Sequence, residues 1–356
     1  MSKLFEETTV GAARTPNRIA MAPMTRNRAN PDGTATDLMA EYYGQRSTAG
    51  LIITEGIQPS PVGQAYPNTP GLHAPEHVES WKPVVKAARA NGGLFFAQIM
   101  HGGRTGHPDV VGHHPLAPSA VRLGGQVMTS KGLQDTVTPR EMTHDEILAT
   151  IEDFATAARN AVDAGFDGIE VHGANGYLVQ QFLSESANQR TDEWGGDVQG
   201  RVKFAVELIR AIADAIGPER TAIRISPTAS YQDIEEGDSR ALYQALLTEL
   251  REIPLAYLHV VEAVGQRDLT HELRALWPHT LVLNAHRDAE PLPPHEAGHD
   301  AIEAVGADVV SFGSSYLANP DLPARLAAKG PYTQGDRTTF YGGDHVGYLD
   351  YPTLQN

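Results

Sequence analysis

The 356-residue chain contains no cysteine, which excludes disulfides, thiolate nucleophiles, iron–sulfur clusters and cysteine-containing zinc sites. It lacks any run of about 18 apolar residues, and its opening segment, MSKLFEETTV, has no apolar signal region. We therefore expect a cytoplasmic protein without a membrane partner. With 28 basic against 44 acidic residues, the formal charge of −16 also argues against nucleic acid as a partner.

Lysine is scarce as well, and none of the six lysines lies where a predicted strand ends, which argues against a Schiff-base aldolase. The G-x-S-x-G motif of nucleophile-elbow hydrolases is absent from the sequence. The 15 histidines include His101, His107, His113 and His114, and none of these four belongs to an H-x-x-x-H pair with a glutamate partner. We therefore interpret these four as solvated loop histidines and expect no metal site.

Eight short segments of the chain are almost continuously apolar, as is typical of parallel strands buried on both faces. They cover residues 18–23, 50–56, 94–100, 168–173, 221–226, 256–261, 280–284 and 308–313. A helical pattern follows each of them, so the sequence predicts an α/β fold, the (β/α)8 TIM barrel. A doubly wound open sheet is the alternative, but the count of eight and the lack of a GxGxxG after the first strand favour the barrel.

The predicted helices cover residues 37–48, 76–91, 143–164, 199–216, 240–252, 268–276, 295–305 and 321–328. The third begins at a capping box formed by Thr143 and Glu146, and it ends before Gly165. Because no biased linker divides the chain, we expect a single domain over residues 1–356.

Two segments interrupt the alternation of strands and helices. Residues 101–142, after the third strand, form a long insertion with a β-like stretch at 121–137. Loops of this length inside a compact domain are usually functional, so we expect a hairpin or lid that caps the barrel. The aromatic, glycine-rich tail over residues 331–356 is expected to fold over the barrel.

Catalytic groups of such barrels lie at the carboxyl ends of the strands. His172 and Asn175 follow the fourth strand, three residues apart, so an imidazole N–H and a carboxamide N–H can both donate to one oxygen and stabilise negative charge on it. Tyr177, two residues on, can deliver a proton, because a phenol stays protonated at neutral pH. The alternative is that His172 and Asn175 only hold the loop together.

These residues belong to a longer pattern that resembles the Old Yellow Enzyme family of FMN-dependent ene-reductases, in its bacterial branch. The matching segments are 16–18, 21–26, 41–43, 49–55, 98–104, 172–183, 188–196, 224–227, 318–322 and 341–343. The most specific of them is the string HxxNGY…QFL…NQRTDxxGG. The resemblance implies one FMN-binding barrel domain in which residues 101–142 form a capping subdomain.

The resemblance also implies which residues surround the cofactor at the barrel mouth. Those expected to line or hold the flavin ring are Ala22, Pro23, Thr25, Gly56, Gln98, His172 and Arg224. Thr25 would hydrogen-bond the carbonyl edge of the flavin, and Gln98 and Arg224 its pyrimidine ring. Arg224 would stabilise the anionic reduced flavin.

The implied reaction reduces the carbon–carbon double bond of an α,β-unsaturated carbonyl compound. NADPH or NADH reduces FMN, and the flavin N5 then gives hydride to the β-carbon of the substrate. His172 and Asn175 would hold the carbonyl oxygen, and Tyr177 would protonate the α-carbon. Tyr66, Met100 and Tyr341 are expected to line the substrate cavity.

Two departures from the family pattern bear on these expectations. Met100 stands where the family often has tryptophan. Ser314 stands after Gly313, where the family usually places the arginine that contacts the FMN phosphate. The remaining phosphate contacts are expected from Asn284, Ala285, Gly313 and Ser314. We expect Arg287, in the neighbouring loop, to replace the missing guanidinium; the alternative is a branch with reshaped or reduced flavin use.

Other functions fit parts of the pattern. The same catalytic groups would serve an isomerase, a cyclase or a dehydrogenase in a secondary-metabolite pathway. A barrel that has lost FMN and acts as a binding protein is a further alternative. The presence of six family residues in register argues against it: Thr25, Gln98, His172, Asn175, Tyr177 and Arg224. The sequence leaves open whether the protein is a monomer or a homo-oligomer.

Overall fold

A computed structural model describes residues 2–354, and its centre is a closed barrel of eight parallel strands. The strands are β1 (Ile19–Met21), β2 (Leu51–Ile57), β3 (Leu94–Ile99), β4 (Gly168–Gly173), β5 (Thr221–Ile225), β6 (Tyr257–Val261), β7 (Leu281–Asn284) and β8 (Val309–Phe312). Each strand pairs with its neighbour in chain order, and β8 closes against β1. The predicted barrel and all eight strand positions are confirmed.

Eight helices follow these strands in alternation and surround the barrel. They are α1 (Asp37–Gln45), α2 (Pro75–Ala88), α3 (His144–Ala164), α4 (Val198–Ile216), α5 (Ser239–Leu250), α6 (Arg267–Leu276), α7 (Pro294–Asp300) and α8 (Leu322–Ala328). The capping box of Thr143 and Glu146 is present, and α3 ends at Gly165 in the left-handed conformation, with φ of 98°. No helix within residues 2–354 is long and apolar enough to cross a bilayer.

The interior of the barrel has two unlike layers. Its lower layer is apolar and is formed by Ala20, Leu51, Ile53, Leu94, Phe96, Ala222, Tyr257, Val282 and Val309. Side chains alternate between the two faces of a strand, so the next inward positions lie one layer higher. The region above, called the upper layer here, is polar and includes two successive inward positions of β4, Glu170 and His172. Its other members are Gln98, Arg224, His259 and Ser311, and all six residues are at most 6% exposed.

The sequence analysis missed a small hairpin near the amino terminus. Residues Thr8–Val10 and Ala13–Thr15 form two antiparallel strands, and Val10 packs into the lower layer of the barrel. Gly11 turns this hairpin with φ of 57°, and a Cβ on it would lie 2.0 Å from the carbonyl oxygen of Glu219. Glycine is therefore required at this turn. The hairpin covers the amino-terminal end of the barrel.

The insertion folds as expected into a hairpin, Gln126–Thr129 with Gly132–Asp135, inside the predicted stretch. A second, parallel pair joins Leu116–Ala117 to Arg140–Glu141. The insertion packs on the mouth side, because Gly124 N–H donates to Asp233 Oδ2, at 2.7 Å, in the loop after β5. This position is compatible with the expected cap; the division into domain and capping subdomain stays a prediction.

The interpretation of all four insertion histidines as solvated is wrong for two of them. His101 is 2% exposed and His107 is 7% exposed, whereas His113 and His114 are exposed. The Nδ1 atom of each buried ring accepts a backbone N–H two residues further on, from Gly103 at 3.0 Å and from Asp109 at 3.1 Å. Burial lowers the pKa of His101 to about 3, so this ring is neutral. Sequence composition cannot show this local capping role.

The carboxyl-terminal tail folds over the mouth, as predicted, within its described part up to residue 354. Arg26 Nε donates to the carbonyl of Phe340 at 2.8 Å, and its Nη2 to the carbonyl of Gly347 at 2.7 Å. Tyr348 stacks on Tyr42, with ring centroids 4.1 Å apart. The tail is therefore tied to the loop that follows β1.

Candidate active site

The loop after β4 is built on buried glutamine side chains. Gln180 Oε1 accepts the backbone N–H of Gly176 at 2.8 Å, and Gln181 Nε2 donates to the carbonyl of Gly176 at 2.8 Å. Both glutamines are fully buried in the short helix Leu178–Leu183. Because these bonds fix the loop, Asn175 is held at φ of 56°, a conformation that asparagine tolerates better than most residues. The local sequence therefore fixes the backbone position from which the Asn175 side chain extends.

His172 lies at the end of β4 with one ring nitrogen engaged. Its Nδ1 accepts the backbone N–H of Ala174 at 3.3 Å, which places the ring proton of the neutral imidazole on Nε2. The pKa of His172 is held well below its usual value, mainly by burial and secondly by the positive charge of Arg224. The ring is therefore a neutral N–H donor, the form that binding a carbonyl oxygen requires.

Tyr177 lies beside His172, with ring centroids 4.9 Å apart. Its hydroxyl is 3.0 Å from the hydroxyl of Tyr66, which comes from the loop after β2. Burial, followed by the proximity of Tyr66, raises the pKa of Tyr177 well above its usual value, so the phenol stays protonated at neutral pH. The structure therefore brings His172, Tyr177 and Tyr66 together. Tyr341 in the tail is 69% exposed.

Gln98 and Arg224 lie in the upper layer of the barrel. Both side chains are suited to bind the polar ring of a ligand at the mouth. The Nε2 of Gln98 donates to Glu170 Oε1 at 2.8 Å, which leaves the second N–H and the oxygen of the carboxamide available. Arg224 is 6% exposed, and its buried Nε has no hydrogen-bond partner within residues 2–354. An orphaned buried N–H of this kind is expected to meet an acceptor, such as a carbonyl or a ring nitrogen of a flavin.

Other residues expected around the flavin ring lie in the first two loops. Ala22 and Pro23 are buried directly after β1, and Thr25 is partly buried. A Cβ on Gly56, in β2, would lie 2.7 Å from Met100 Sδ. Met100 itself is 3% exposed, so its side chain packs beneath Gly56. Whether Met100 also touches a substrate, as the sequence analysis expects, stays a prediction.

The residues expected at the phosphate lie across the mouth, after β7 and β8. Asn284 Nδ2 donates to the carbonyl of Ser311 at 2.9 Å, and Ala285 follows it, partly buried. Ser314 is exposed, and a Cβ on Gly313 would have only Met24 Sδ within 4.0 Å among the described residues. There is consequently open space at Gly313.

Arg287 lies in the same region, but its guanidinium is paired with carboxylates. Its Nη1 is 3.4 Å from Asp300 Oδ1, its Nε is 3.5 Å from Asp288, and its side chain is 53% exposed. Asp300 is held more closely by Arg267, at 2.7 Å. Of these two arginines, Arg287 is therefore the more loosely held.

The sequence analysis missed the polar groups beneath the mouth, Glu170, His259 and Ser311. Glu170 and His259 are both fully buried, with Glu170 Oε2 2.8 Å from His259 Nδ1. A period of two along β4 would have found Glu170, since it precedes the inward-facing His172 by two residues. Among residues 2–354, no three His, Asp or Glu side chains converge on a possible metal position.

Comparison with known proteins agrees with this arrangement. The sequence profile of the NADH:flavin oxidoreductase / NADH oxidase family matches residues 3–333. The 12-oxophytodienoate reductase 1 of Oryza sativa subsp. japonica is 39% identical over 360 residues, which cover 97% of this chain and 92% of that protein. The old yellow enzyme homologue from Zymomonas mobilis has a TM-score of 0.94 at 37% identity, over 99% of this chain and 100% of that one.

Morphinone reductase, solved in complex with tetrahydroNAD, has a TM-score of 0.92 at 38% identity, over 100% of this chain and 99% of that one. The family match spans most of the chain, and the similarity to these proteins extends over almost its whole length. The resemblance identified from the motifs is thereby confirmed: this chain is an oxidoreductase of the NADH:flavin oxidoreductase / NADH oxidase family and an Old Yellow Enzyme homologue.

Proposed function

We propose that this enzyme reduces the carbon–carbon double bond of an α,β-unsaturated carbonyl compound, with FMN as cofactor and NADPH or NADH as reductant. The observation that carries the proposal is the grouping of a neutral imidazole donor, His172, with two phenols, Tyr177 and Tyr66, at the end of β4. FMN, when bound, supplies the hydride for the β-carbon of the substrate.

The residues of this chain would activate the substrate at the other end of the double bond. His172 Nε2–H and the Asn175 amide donate to the carbonyl oxygen and stabilise the negative charge that develops on it. Because both donors come from one rigid loop, little reorganisation is needed when that charge appears. Tyr66, Met100 and Tyr341 are proposed to bound the substrate cavity.

Tyr177 is proposed as the general acid that protonates the α-carbon. Its pKa, raised by burial, keeps the proton in place until the carbon becomes strongly basic. The Tyr66 hydroxyl, 3.0 Å away, can then donate a hydrogen bond to the Tyr177 oxygen that has lost its proton. Tyr177 therefore keeps its proton until transfer, and Tyr66 stabilises the phenolate that remains.

Two observations support the fit of FMN to this site. The buried Arg224 Nε has no hydrogen-bond partner among the described residues, and the Gln98 carboxamide keeps one N–H and its oxygen available. The residues that we propose to hold FMN are Ala22, Pro23, Thr25, Gly56, Gln98, His172, Arg224, Asn284, Ala285, Arg287, Gly313 and Ser314. For its phosphate, Arg287 is the proposed cation. The loose hold of Asp300 on Arg287 supports this assignment, since Arg267 satisfies the same carboxylate.

A visible spectrum of the purified protein tests the proposal. The oxidised protein with added FMN should be yellow, should bleach on anaerobic addition of NADPH, and should regain its colour when a model enone is added. Retention of the bleached spectrum with a panel of enones and enals would contradict ene-reduction. It would instead favour the redox-neutral or oxidative alternatives.

The remaining partners and location are proposals of the same kind. We propose that the enzyme acts in the cytoplasm on a small molecule, without nucleic-acid or membrane partners, as a monomer or homo-oligomer. The excess of acidic residues supports the part of this proposal that concerns nucleic-acid and membrane partners. Size-exclusion chromatography with light scattering would measure the oligomeric state.

A further inference from the structure

A buried chain of hydrogen bonds crosses the barrel directly below its mouth. It runs from Gln98 on β3 to Glu170 on β4, then to His259 on β6 and Ser311 on β8. The three links, Gln98 Nε2 to Glu170 Oε1, Glu170 Oε2 to His259 Nδ1, and His259 Nε2 to Ser311 Oγ, are each 2.8 Å long. All four residues are at most 2% exposed. This chain of four residues is called the barrel relay below.

The direction of each hydrogen bond follows from the groups that make it. Burial lowers the pKa of His259, so its imidazole carries one proton. A carboxylate only accepts, so that proton lies on Nδ1 and faces Glu170, and the Ser311 hydroxyl donates to Nε2. Glu170 also accepts from Gln98, whose Oε1 consequently turns away from the carboxylate. The barrel relay therefore fixes which way the Gln98 amide faces.

Glu170 has a second effect, on Arg224. The register of the sheet sets Arg224 opposite both His172 on β4 and His259 on β6, and Glu170 lies one inward step below His172 on β4. Burial lowers the pKa of Arg224, and the charge of Glu170 is the largest influence that opposes this. A buried guanidinium without a counter-charge is strongly disfavoured. Glu170 is therefore the acid that balances Arg224 inside the barrel.

We propose that Glu170 is a positioning residue that sets the reduction potential of the bound flavin. It does so by orienting the Gln98 amide and by offsetting the positive charge of Arg224 beneath the cofactor. This inference rests on the proposed FMN site at the barrel mouth. Glu170 touches neither substrate nor the reacting atoms, and its influence passes through Gln98 and Arg224.

The direction of the effect follows from charge. Oxidised FMN has a neutral ring, whereas the reduced ring bound above a guanidinium is anionic. A negative charge at Glu170 opposes the anionic form, so its removal should strengthen binding of the reduced ring relative to the oxidised ring. A tenfold change in that ratio raises the potential by about 30 mV for a two-electron couple.

The variant E170Q tests the proposal, because glutamine keeps the shape and can keep every hydrogen bond of the barrel relay. Its Oε1 still accepts from Gln98, and its amide can donate to His259 in the other tautomer. The reduction potential of the holoenzyme would be measured by dye-coupled anaerobic titration, and we expect at least a tenfold shift of the affinity ratio toward reduced FMN. The matched control is S311A, at the uncharged end of the relay, whose potential should stay at the wild-type value.

A second pair of variants keeps the test usable if E170Q leaves Arg224 uncompensated and fails to fold. R224Q and the double variant R224Q/E170Q carry no such orphaned guanidinium. The potential of the double variant should lie above that of R224Q, because the same negative charge has been removed. Melting temperatures measured in parallel would report any structural contribution separately from the potential.

The outcomes separate this inference from the proposed function. Wild-type protein that binds no FMN would overturn both. The inference alone would be overturned if the wild-type protein binds FMN but loss of Glu170 leaves the reduction potential unchanged or lowers it. The comparison is made in whichever background folds, wild type or R224Q. A fall in melting temperature without a change of potential would show that Glu170 serves stability alone and would overturn it as well.

Discussion

The two sides of the barrel mouth are held by different kinds of contact. The loop after β4, with His172 and Tyr177, is fixed by the fully buried Gln180 and Gln181. The Arg287 side chain, in the loop after β7, is 53% exposed and is held by an ion pair with Asp300 at 3.4 Å. Buried hydrogen bonds tolerate little change because a lost partner leaves a desolvated group, whereas exposed ion pairs contribute little. We therefore expect substitutions to be tolerated less well in the loop after β4 than at Arg287.

The first way to sharpen the comparison is to remove the proton donor. Y177F should slow the oxidative half-reaction with an enone by about 10²- to 10⁴-fold, the usual contribution of a positioned general acid. Reduction of the flavin by NADPH should keep its rate, because that half-reaction does not use this proton. Anaerobic stopped-flow of the two half-reactions measures both. An unchanged oxidative rate would remove Tyr177 from its proposed role.

The second largest effect should come from the carbonyl donor. H172A should slow the same half-reaction by about 10²- to 10³-fold, as expected for the loss of one oxyanion donor. We expect the effect to fall on the rate of substrate reduction and the melting temperature to change less. A matched control is H144A, at the exposed start of α3, which should leave the rate unchanged. Equal losses in both variants would argue against a specific role.

On the opposite side of the mouth, R287A should weaken FMN binding by about 10- to 100-fold, the value of one arginine–phosphate contact of roughly 1.5–3 kcal/mol. The affinity is measured by titrating the apoprotein with FMN and monitoring the quenching of fluorescence. R251A, which removes another exposed arginine paired with an acid, is the control. Affinity equal to the wild type would refute the replacement of the missing arginine by Arg287.

The smallest expected effect is that of pH. The pKa of His172 is depressed and that of Tyr177 is raised, so the imidazole stays neutral and the phenol stays protonated. The rate of the oxidative half-reaction should therefore be flat from about pH 6 to 9 with respect to both groups. Burial raises the pKa of Glu55 to about 7, so E55Q serves as the control. If the rate of the oxidative half-reaction still depends on pH between about 6 and 9 in E55Q, the prediction is contradicted.

The sequence predicted the barrel because each of its strands is a short, unbroken apolar run, a pattern that leaves few alternatives. It also predicted the side of the mouth built from a continuous string, since His172, Asn175 and Tyr177 lie within six positions. His172 and Tyr177 meet through local chain geometry. The helix starting at Thr143 was predictable for the same reason.

Features made by residues far apart in the chain were not predictable in this way. The barrel relay joins four strands, and no pattern along the chain announces that Glu170 meets His259, 89 residues away. The hairpin before β1 is too short for its alternation to stand out. Likewise, burial of His101 depends on packing that composition cannot reveal. The assignment of individual site residues to FMN or substrate stays a prediction.

The tie between the tail and the loop after β1 has a consequence for how the enzyme is made. Arg26 and Arg28 bind carbonyl groups of residues 339–347, so the loop after β1 is completed only when this distant segment has been made. A polypeptide made only as far as β8 can form every strand of the barrel, but it lacks this contact. The pocket wall beside Thr25 is therefore completed after the barrel itself.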